Sequence, residues 1–303
     1  MSLFRRDIND WTSWTGVFQS IDAWRPLIEY IFKREGLPLA DVEHLTPGTN
    51  AVFKIGGFVI KIFAPLASGL DTAIDIQTET FAIKRLAAAG IAVPKILASS
   101  AIEDKYLFRY MIMEFIEGKE FTDVAGTLGY DERVSFGQRM REITDKLNTP
   151  CEGFNGIDVV NDEGRYRRWD KFPAQFRQER LNYIKAHDYG EKVFVHGDLC
   201  SDNILITDTG ELYIIDFADA VLAPIIYELA HIASELFRFD EAFLTGYFGE
   251  YDSAWLTELC FNGLLLHDFG GDIIELHVAK PAEITSLKAL QQRLYSVIEE
   301  KRR

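Results

Sequence analysis

The first third of the chain shows two different spacings of apolar residues. Apolar side chains recur at helical intervals over residues 24–33, and Gly36 ends this predicted helix. Residues 51–63 instead alternate as two strands around Gly56 and Gly57, a pair that supplies the positive φ of a two-residue hairpin. The other elements predicted here are a helix over 74–89 and strands over 91–97 and 106–116.

The remainder of the chain is dominated by helical spacing. Three sets of apolar residues recur every three or four positions: Phe136, Met140, Ile143 and Leu147; Ile225, Leu229, Ile232 and Leu236; and Ile284, Leu287, Leu290 and Leu294. Pro224 fits the first turn of the second of these helices, where proline is favoured. The pattern therefore predicts a smaller part with a β-sheet and a larger, mainly helical part.

A polar segment with apolar flanks runs from His196 to Asn203 and is followed by Ile214-Ile215-Asp216-Phe217. It places Asp198, Asn203 and Asp216 on a short loop and hairpin. Mg²⁺ prefers carboxylate and amide oxygens, and phosphoryl transfer needs metal ions together with one group that orients the attacking hydroxyl. We therefore predict Asp198 as the catalytic base and Asn203 and Asp216 as Mg²⁺ ligands. An Asx-rich turn without catalytic function is the alternative.

The spacing H-x-D-x-x-x-x-N, followed by two apolar residues and Asp, resembles the catalytic and metal-binding segments of the protein kinase-like superfamily. The variant His196-Gly197-Asp198 is similar to that of the aminoglycoside phosphotransferase and choline kinase branch. The resemblance implies an α+β, two-lobed protein kinase-like fold, with a small antiparallel β-sheet lobe and a larger, mainly helical lobe. We place the nucleotide-binding lobe at residues 1–117 and the catalytic and substrate-binding lobe at 118–303.

The resemblance further implies a lysine that meets the nucleotide phosphates and pairs with a helical glutamate. Lys61 lies between two apolar neighbours on one face of its predicted strand. Glu79 shares a helical face with apolar residues, where a carboxylate is costly unless it is paired. We predict an ion pair between them. An edge-strand lysine and an ordinary helical glutamate are the alternatives.

Two more nucleotide-binding segments are implied by the resemblance. Gly48, Thr49 and Asn50 stand in the place of the phosphate-covering loop and could offer backbone N–H groups to phosphate, although the G-x-G-x-x-G pattern of protein kinases is absent and a plain turn is the alternative. Glu114 and Ile116 stand at the hinge between the lobes, where backbone groups hold the adenine edge. The expected cofactors are ATP, with GTP as an alternative, and Mg²⁺.

Net charge changes the interpretation of one basic and aromatic cluster, at residues 165–172. The chain carries 47 acidic and 32 basic residues, a net charge of −15, which disfavours a nucleic-acid partner because electrostatics supplies most non-specific affinity. The helical spacing of Trp169, Phe172 and Phe176 predicts core packing instead. His231, on an apolar helix, is likewise predicted to be a core histidine.

The chain shows no sign of export or of a membrane span. No run approaches the roughly 18 apolar residues that a spanning helix needs, and no apolar segment follows the basic pair near the start. Three widely spaced cysteines, Cys151, Cys200 and Cys260, predict free thiols. We therefore expect a cytoplasmic protein with no membrane partner.

The predicted activity is an ATP- and Mg²⁺-dependent transfer of the γ-phosphate to a hydroxyl of a small molecule. A cationic acceptor such as an aminoglycoside-type antibiotic is favoured by acidic residues downstream of Asp216, where the resemblance implies the acceptor pocket, since a pocket of one charge concentrates ligands of the other. These residues are Glu228, Glu235, Asp240, Glu241, Asp268 and Asp272. The alternative is that these carboxylates only keep the protein soluble. A metabolic kinase acting on choline, homoserine or a sugar is the alternative.

Two other classes of protein are disfavoured. In a protein kinase an arginine normally stands where this chain has Gly197, and Ala223-Pro224 follows Asp216 too closely to leave room for an activation segment. A pseudokinase that only binds nucleotide is disfavoured by the intact catalytic set.

The family usually carries G-D-P-x-x-D-L-A after the metal-binding loop, whereas this chain has Glu228 in place of the second aspartate.

Overall fold

The computed structural model describes residues 2–46, 48–162 and 167–302. The chain divides into two compact units. Unit 1 comprises Met1–Ala88, Ala92–Gly118 and Thr207–Ala218, and unit 2 comprises Ala89–Ile91, Lys119–Ile206 and Asp219–Arg303. Unit 1 carries an antiparallel sheet and unit 2 is mainly helical, which confirms the predicted α+β class.

Unit 1 is built around a five-stranded antiparallel sheet in the order β1-β2-β3-β5-β4. Its strands are β1 (Val42–His44), β2 (Ala51–Ile55), β3 (Phe58–Ile62), β4 (Ile96–Glu103) and β5 (Leu107–Glu114). The hairpin predicted around Gly56 and Gly57 joins β2 to β3. The strand predicted over 91–97 is wrong in its bounds, because β4 begins only after Pro94, which has no N–H for a strand ladder.

Helices cover both faces of this sheet. They are α1 (Trp11–Thr15), α2 (Ile21–Glu35) and α3 (Ala73–Ala88). Apolar residues of α2 form one core with Ile60 and Ile62 of β3, and Phe4 and Trp14 from the N-terminal segment join it. Because side chains alternate along a strand, Lys61 points to the opposite face, where α3 lies.

Unit 2 combines short strand pairs with most of the helices. The strands are β6 (Lys119–Glu120), β7 (Lys192–Val195), β8 (Ile204–Ile206) and β10 (Val221–Pro224), whereas β9 (Leu212–Ile214) belongs to unit 1. The helices are α4 (Phe121–Ala125), α5 (Tyr130–Leu147), α6 (Ala174–Ala186), α7 (Ile226–His231), α8 (Glu241–Phe248), α9 (Ser253–Leu266), α10 (Gly270–His277) and α11 (Leu287–Lys301). Strand β6 pairs with β8, and β7 pairs with β10, both antiparallel.

The aromatic residues of the basic cluster lie in the core of unit 2. Trp169, Phe172 and Phe176 are buried, as predicted, and their rings contact one another. Arg165 and Tyr166 of that cluster lie outside the described residues. Across the described part of the chain, no helix is both long enough and apolar enough to cross a membrane.

The inward face of α7 differs from the predicted one. Ile225 is exposed, whereas Tyr227, Glu228 and His231 are buried. Pro224 ends strand β10 rather than starting the helix. A π-helical turn follows directly over Ile232–Leu236, and its predicted inward residues Ile232 and Leu236 are buried. Two polar side chains of α7 therefore point into the unit.

Helices α5 and α8 approach each other closely at two glycines. A Cβ atom added to Gly137 would lie 2.3 Å from the carbonyl oxygen of Phe243, and one added to Gly246 would lie 2.1 Å from that of Val134. Both distances are far below van der Waals contact with rigid backbone. The packing of these two helices therefore depends on the absence of side chains at both positions.

We expect Gly137→Ala to lower the free energy of unfolding by about 1–3 kcal/mol, the usual cost of an overpacked contact. Helix propensity alone would favour alanine by about 1 kcal/mol, so a net loss isolates the clash. Urea unfolding measures it. Gly126→Ala is the control, because Gly126 ends α4 at φ −70° and an added Cβ meets nothing within 4 Å. Equal stability of Gly137→Ala and the wild type would contradict the close approach.

Candidate functional site

In unit 1, three charged residues from distant parts of the chain meet in what we term the lysine cluster: Lys61, Glu79 and Asp216. The Nζ atom of Lys61 lies 2.8 Å from Oε2 of Glu79 and 2.7 Å from Oδ1 of Asp216. Lys61 and Glu79 are buried, whereas the side chain of Asp216 is 47% exposed. The predicted contact between Lys61 and Glu79 is thus present, and Asp216 shares the same ammonium.

The electrostatics of the lysine cluster keep Lys61 charged. Burial alone would lower the pKa of Lys61, but Asp216 and Glu79 outweigh that effect and raise it. Burial raises the pKa of Glu79 to about 7, against the opposing influence of Lys61. The cluster therefore offers a fixed cation beside a half-exposed carboxylate.

Asp216 adopts an unusual backbone conformation, with φ of 58°. This left-handed region is uncommon for residues other than glycine, although aspartate tolerates it better than most. Non-glycine residues held there cluster at functional sites, since the surrounding structure must offset the strain. Its buried neighbour Phe217 and its contact with Lys61 fix the position.

In unit 2, the segment between β7 and β8, residues 196–203, forms what we term the base loop. The Nδ2 group of Asn203 donates to the backbone oxygen of Asp198 at 2.8 Å and lies 3.3 Å from its Oδ2. The two predicted residues are therefore in contact. Because the amide nitrogen of Asn203 is turned towards Asp198, its side-chain oxygen is the atom that can meet a cation.

Glu228 of α7 holds the base loop in place through two hydrogen bonds. It is fully buried, and its carboxylate accepts the N–H groups of His196 at 3.0 Å and Gly197 at 3.1 Å. Such charge-assisted bonds are about twice as strong as neutral ones. The prediction that Glu228 lines an acceptor pocket is wrong, because both of its oxygens hold the loop. Glutamate thus stands in the family's aspartate position with its carboxylate bound to backbone.

Gly197 is required by the geometry of the base loop. Its φ is +82°, and a Cβ atom would lie 2.1 Å from the backbone oxygen of Asp219. No side chain fits there, the arginine of protein kinases included. The departure from the protein kinase motif is therefore built into the backbone of this loop.

His231, which the sequence pattern predicted to be a core histidine, lies beside the predicted base. Its Nε2 atom is 3.4 Å from Oδ1 of Asp198, and its ring is buried. Burial alone would lower the pKa of His231, but Asp198 outweighs it and raises it. A signal was present in the sequence, since His231 follows Glu228 by three positions and residues so spaced share a helical face.

The remaining nucleotide-binding residues stay predictions. Gly48, Thr49 and Asn50 form the loop between β1 and β2, in which the Thr49 oxygen accepts from the Trp14 indole and Oδ1 of Asn50 accepts the N–H of Ala64. These bonds fix the shape of the loop.

At the predicted hinge, the N–H of Glu114 donates to the Lys95 oxygen at 3.0 Å. Glu114 ends strand β5, and Ile116 follows it by two residues. An adenine contact at Glu114 would therefore use its carbonyl oxygen. The hinge role of both residues likewise stays a prediction.

The other five carboxylates proposed for an acceptor pocket all have basic partners. The pairs are Glu235 with His277, Asp240 with Arg133, Glu241 with Arg302, Asp268 with Arg168, and Asp272 with Lys171 and Arg168. They therefore give no support for a pocket of unpaired acids. The three cysteines are free thiols, as predicted, and burial raises the pKa of Cys200 to about 12, which disfavours its thiolate form at neutral pH.

A family model described as "Phosphotransferase enzyme family" (APH) matches residues 48–259, a span that includes the lysine cluster, the base loop and α7. The chain belongs to this family. The match confirms the predicted class of enzyme, a phosphotransferase, and the resemblance on which it rested. Comparison with curated protein sequences found no match.

Solved structures of similar fold confirm the two-lobed, kinase-like architecture. The GDP complex of aminoglycoside 2'-phosphotransferase-IIIa aligns at a TM-score of 0.60 and 18% identity, over 93% of this chain and 96% of that one. A microcompartment-associated aminopropanol kinase aligns at 0.55 and 16%, over 85% and 90%. A choline/ethanolamine kinase family protein from Mesorhizobium loti aligns at 0.54 and 18%, over 86% and 88%.

We expect Glu228→Gln to loosen the base loop, because an amide NH₂ cannot accept the second backbone N–H. The free energy of unfolding should fall by about 1–3 kcal/mol, the cost of a buried unsatisfied group. Amide hydrogen exchange at His196 and Gly197 should speed up. Glu241→Gln, at a half-exposed carboxylate near Arg302, is the control. Unchanged exchange at both amides would contradict the anchoring role.

Proposed function

We propose that this protein transfers the γ-phosphate of ATP, or of GTP, to a hydroxyl group of a small molecule. The observation that supports it most is the environment of Asp198, whose carboxylate lies between the Asn203 amide and the His231 ring on a loop anchored by Glu228. A base needs such fixed orientation to meet an acceptor hydroxyl. The ammonium group of Lys61, in the lysine cluster, supplies a cation for phosphate oxygens.

In the proposed reaction the acceptor oxygen bonds to the γ-phosphorus while the bond from that phosphorus to the bridging oxygen of the leaving diphosphate breaks. Asp198 takes the hydroxyl proton. Lys61, held by Glu79, binds phosphate oxygens and does not need to titrate. The backbone of Gly48, Thr49 and Asn50 covers the phosphates.

Asn203 and Asp216 fit Mg²⁺ by their chemistry, since both offer hard oxygen atoms: the amide oxygen of Asn203 and the half-exposed carboxylate of Asp216. In the described residues no group of three His, Cys, Asp or Glu side chains could hold a metal by itself. Proteins usually hold Mg²⁺ through one or two carboxylates together with substrate phosphates. When bound, the ion would neutralise charge on the transferred phosphate.

For the acceptor, we propose an alcohol that also carries an amine, with aminoglycosides as the first class to test. The similar proteins support this class, because the aminoglycosides, aminopropanol, and choline or ethanolamine for which they are named all combine hydroxyl and amino groups. Homoserine shares that chemistry, and a neutral sugar is the remaining alternative. Nucleotides in related complexes, GDP, ADP and AMP-PNP, support the proposed cofactor.

The test is nucleotide consumption by the purified protein with a panel of aminoglycosides, amino alcohols, homoserine and sugars. With the acceptor so found, Asp198→Asn should reduce turnover by at least about 100-fold, the low end for a lost general base. Its nucleotide affinity and thermal unfolding should stay close to the wild type. Near-normal turnover by the folded variant would reject Asp198 as the base. Consumption with neutral sugars alone would reject the amino-alcohol class.

Asp216→Asn tests the metal-binding part of the proposal. The affinity for ATP in the presence of Mg²⁺ should fall at least about 10-fold, since changing even a residue that only orients a metal ligand costs about 10- to 100-fold. Binding without Mg²⁺ should change less. Calorimetry measures both. Asp208→Asn, in the exposed turn before β9, is the matched control. If Mg²⁺-dependent binding survives the Asp216 change, this carboxylate does not hold the ion.

A further inference from the structure

The buried ring of His231 has its polar contact on one side, towards Asp198. Nε2 lies 3.4 Å from Oδ1 of Asp198. Nδ1 has no hydrogen-bond partner among the described residues. A buried polar atom without a partner is costly, so an aliphatic side chain would serve better if this position only filled space. The contact with Asp198 is therefore the feature that favours histidine over an aliphatic residue at position 231.

Neighbouring histidines indicate which ring carries the donor proton. Nδ1 of His196 accepts the N–H of Asp198, and Nδ1 of His267 accepts the N–H of Phe269. The His267 ring stacks on His231 with centroids 4.7 Å apart. Two stacked imidazolium ions would repel, and the backbone bond already keeps Nδ1 of His267 unprotonated. In this stack His231 is therefore the ring whose nitrogen faces Asp198 and can donate to it.

Other carboxylates near His231 are already bound elsewhere. Glu228, on the same helix, accepts two backbone N–H groups. Glu235, in the following π-helical turn, accepts from His277 at 2.8 Å. Among these three acids, Asp198 is the one whose Oδ1 faces Nε2 of His231. The imidazole proton thus has one acceptor among them.

From this geometry we infer that His231 is a positioning residue for Asp198. Its Nε2–H donates to Oδ1 while the Asn203 amide meets Oδ2, so that the two donors fix the plane of the carboxylate. Each oxygen keeps a second lone pair for the proton of the acceptor hydroxyl. The 3.4 Å separation is long for a hydrogen bond, and such catalytic contacts commonly shorten when substrate binds. This inference rests on the proposed function of Asp198.

Two substitutions separate positioning from space filling. His231→Leu keeps an apolar side chain and removes the donor, so kcat should fall by about 10- to 100-fold, as expected for a misplaced catalytic group. The KM for nucleotide should stay within about 3-fold, since ground-state binding is not altered. His231→Gln keeps an N–H donor at a similar reach and should restore kcat to within about 5-fold of the wild type.

Thr144→Val is the matched control, because it removes a buried hydrogen bond to Tyr247 elsewhere in unit 2. It should lower thermal stability and leave kcat unchanged. Wild-type kcat in His231→Leu would overturn the inference. So would an equal loss in His231→Gln, since that result would assign the effect to packing.

A measurement that needs no acceptor covers the case in which His231→Leu does not fold. In ¹⁵N NMR spectra of the full-length wild type, Nε2 of His231 should be protonated, and its signal should shift in Asp198→Asn while that of His277 stays in place. Protonation on Nδ1 alone, or a His231 signal indifferent to Asp198→Asn, would overturn the inference. Absence of turnover with every acceptor would instead reject the proposed function, so the two failures are distinguishable.

Discussion

Lys61 carries its charge inside unit 1, where an unpaired ammonium would cost several kcal/mol. Two carboxylates hold it there, Glu79 from helix α3 and Asp216 from the segment after β9. Removing one partner of such a pair would leave an uncompensated buried charge. The ion pairs therefore tie strand β3, α3 and Thr207–Ala218 into one unit, although long stretches of sequence separate them.

The same rule applies to the buried carboxylate of Glu228 in unit 2. Glu228 is fully buried because two backbone N–H groups of the base loop satisfy its carboxylate. His231 lies one turn later on the same helix and faces Asp198. Helix α7 thus carries both Glu228, which holds the base loop, and His231, which faces Asp198. A π-helical turn follows over Ile232–Leu236, and its apolar residues Ile232 and Leu236 are buried.

Small features of the backbone separate this phosphotransferase from a protein kinase. The left-handed Gly197, packed against the Asp219 oxygen, excludes a side chain before Asp198. Strand β10 begins at Val221, soon after Asp216, so no activation segment intervenes. The kinase-like fold is shared by proteins with very different acceptors, and the acceptor is decided by local side chains rather than by the fold.

The sequence by itself determined the local features. Turn chemistry and alternation located the hairpin at 51–63 and placed Lys61 opposite Ile60 and Ile62, and motif spacing identified the family. Tertiary structure decided which polar residues are buried together. Whether Glu228 meets a ligand or a backbone N–H, and whether His231 fills space or faces Asp198, depends on segments that are distant in sequence. Local periodicity carries no information about such contacts, and it placed Ile225 on the inward face although that residue is exposed.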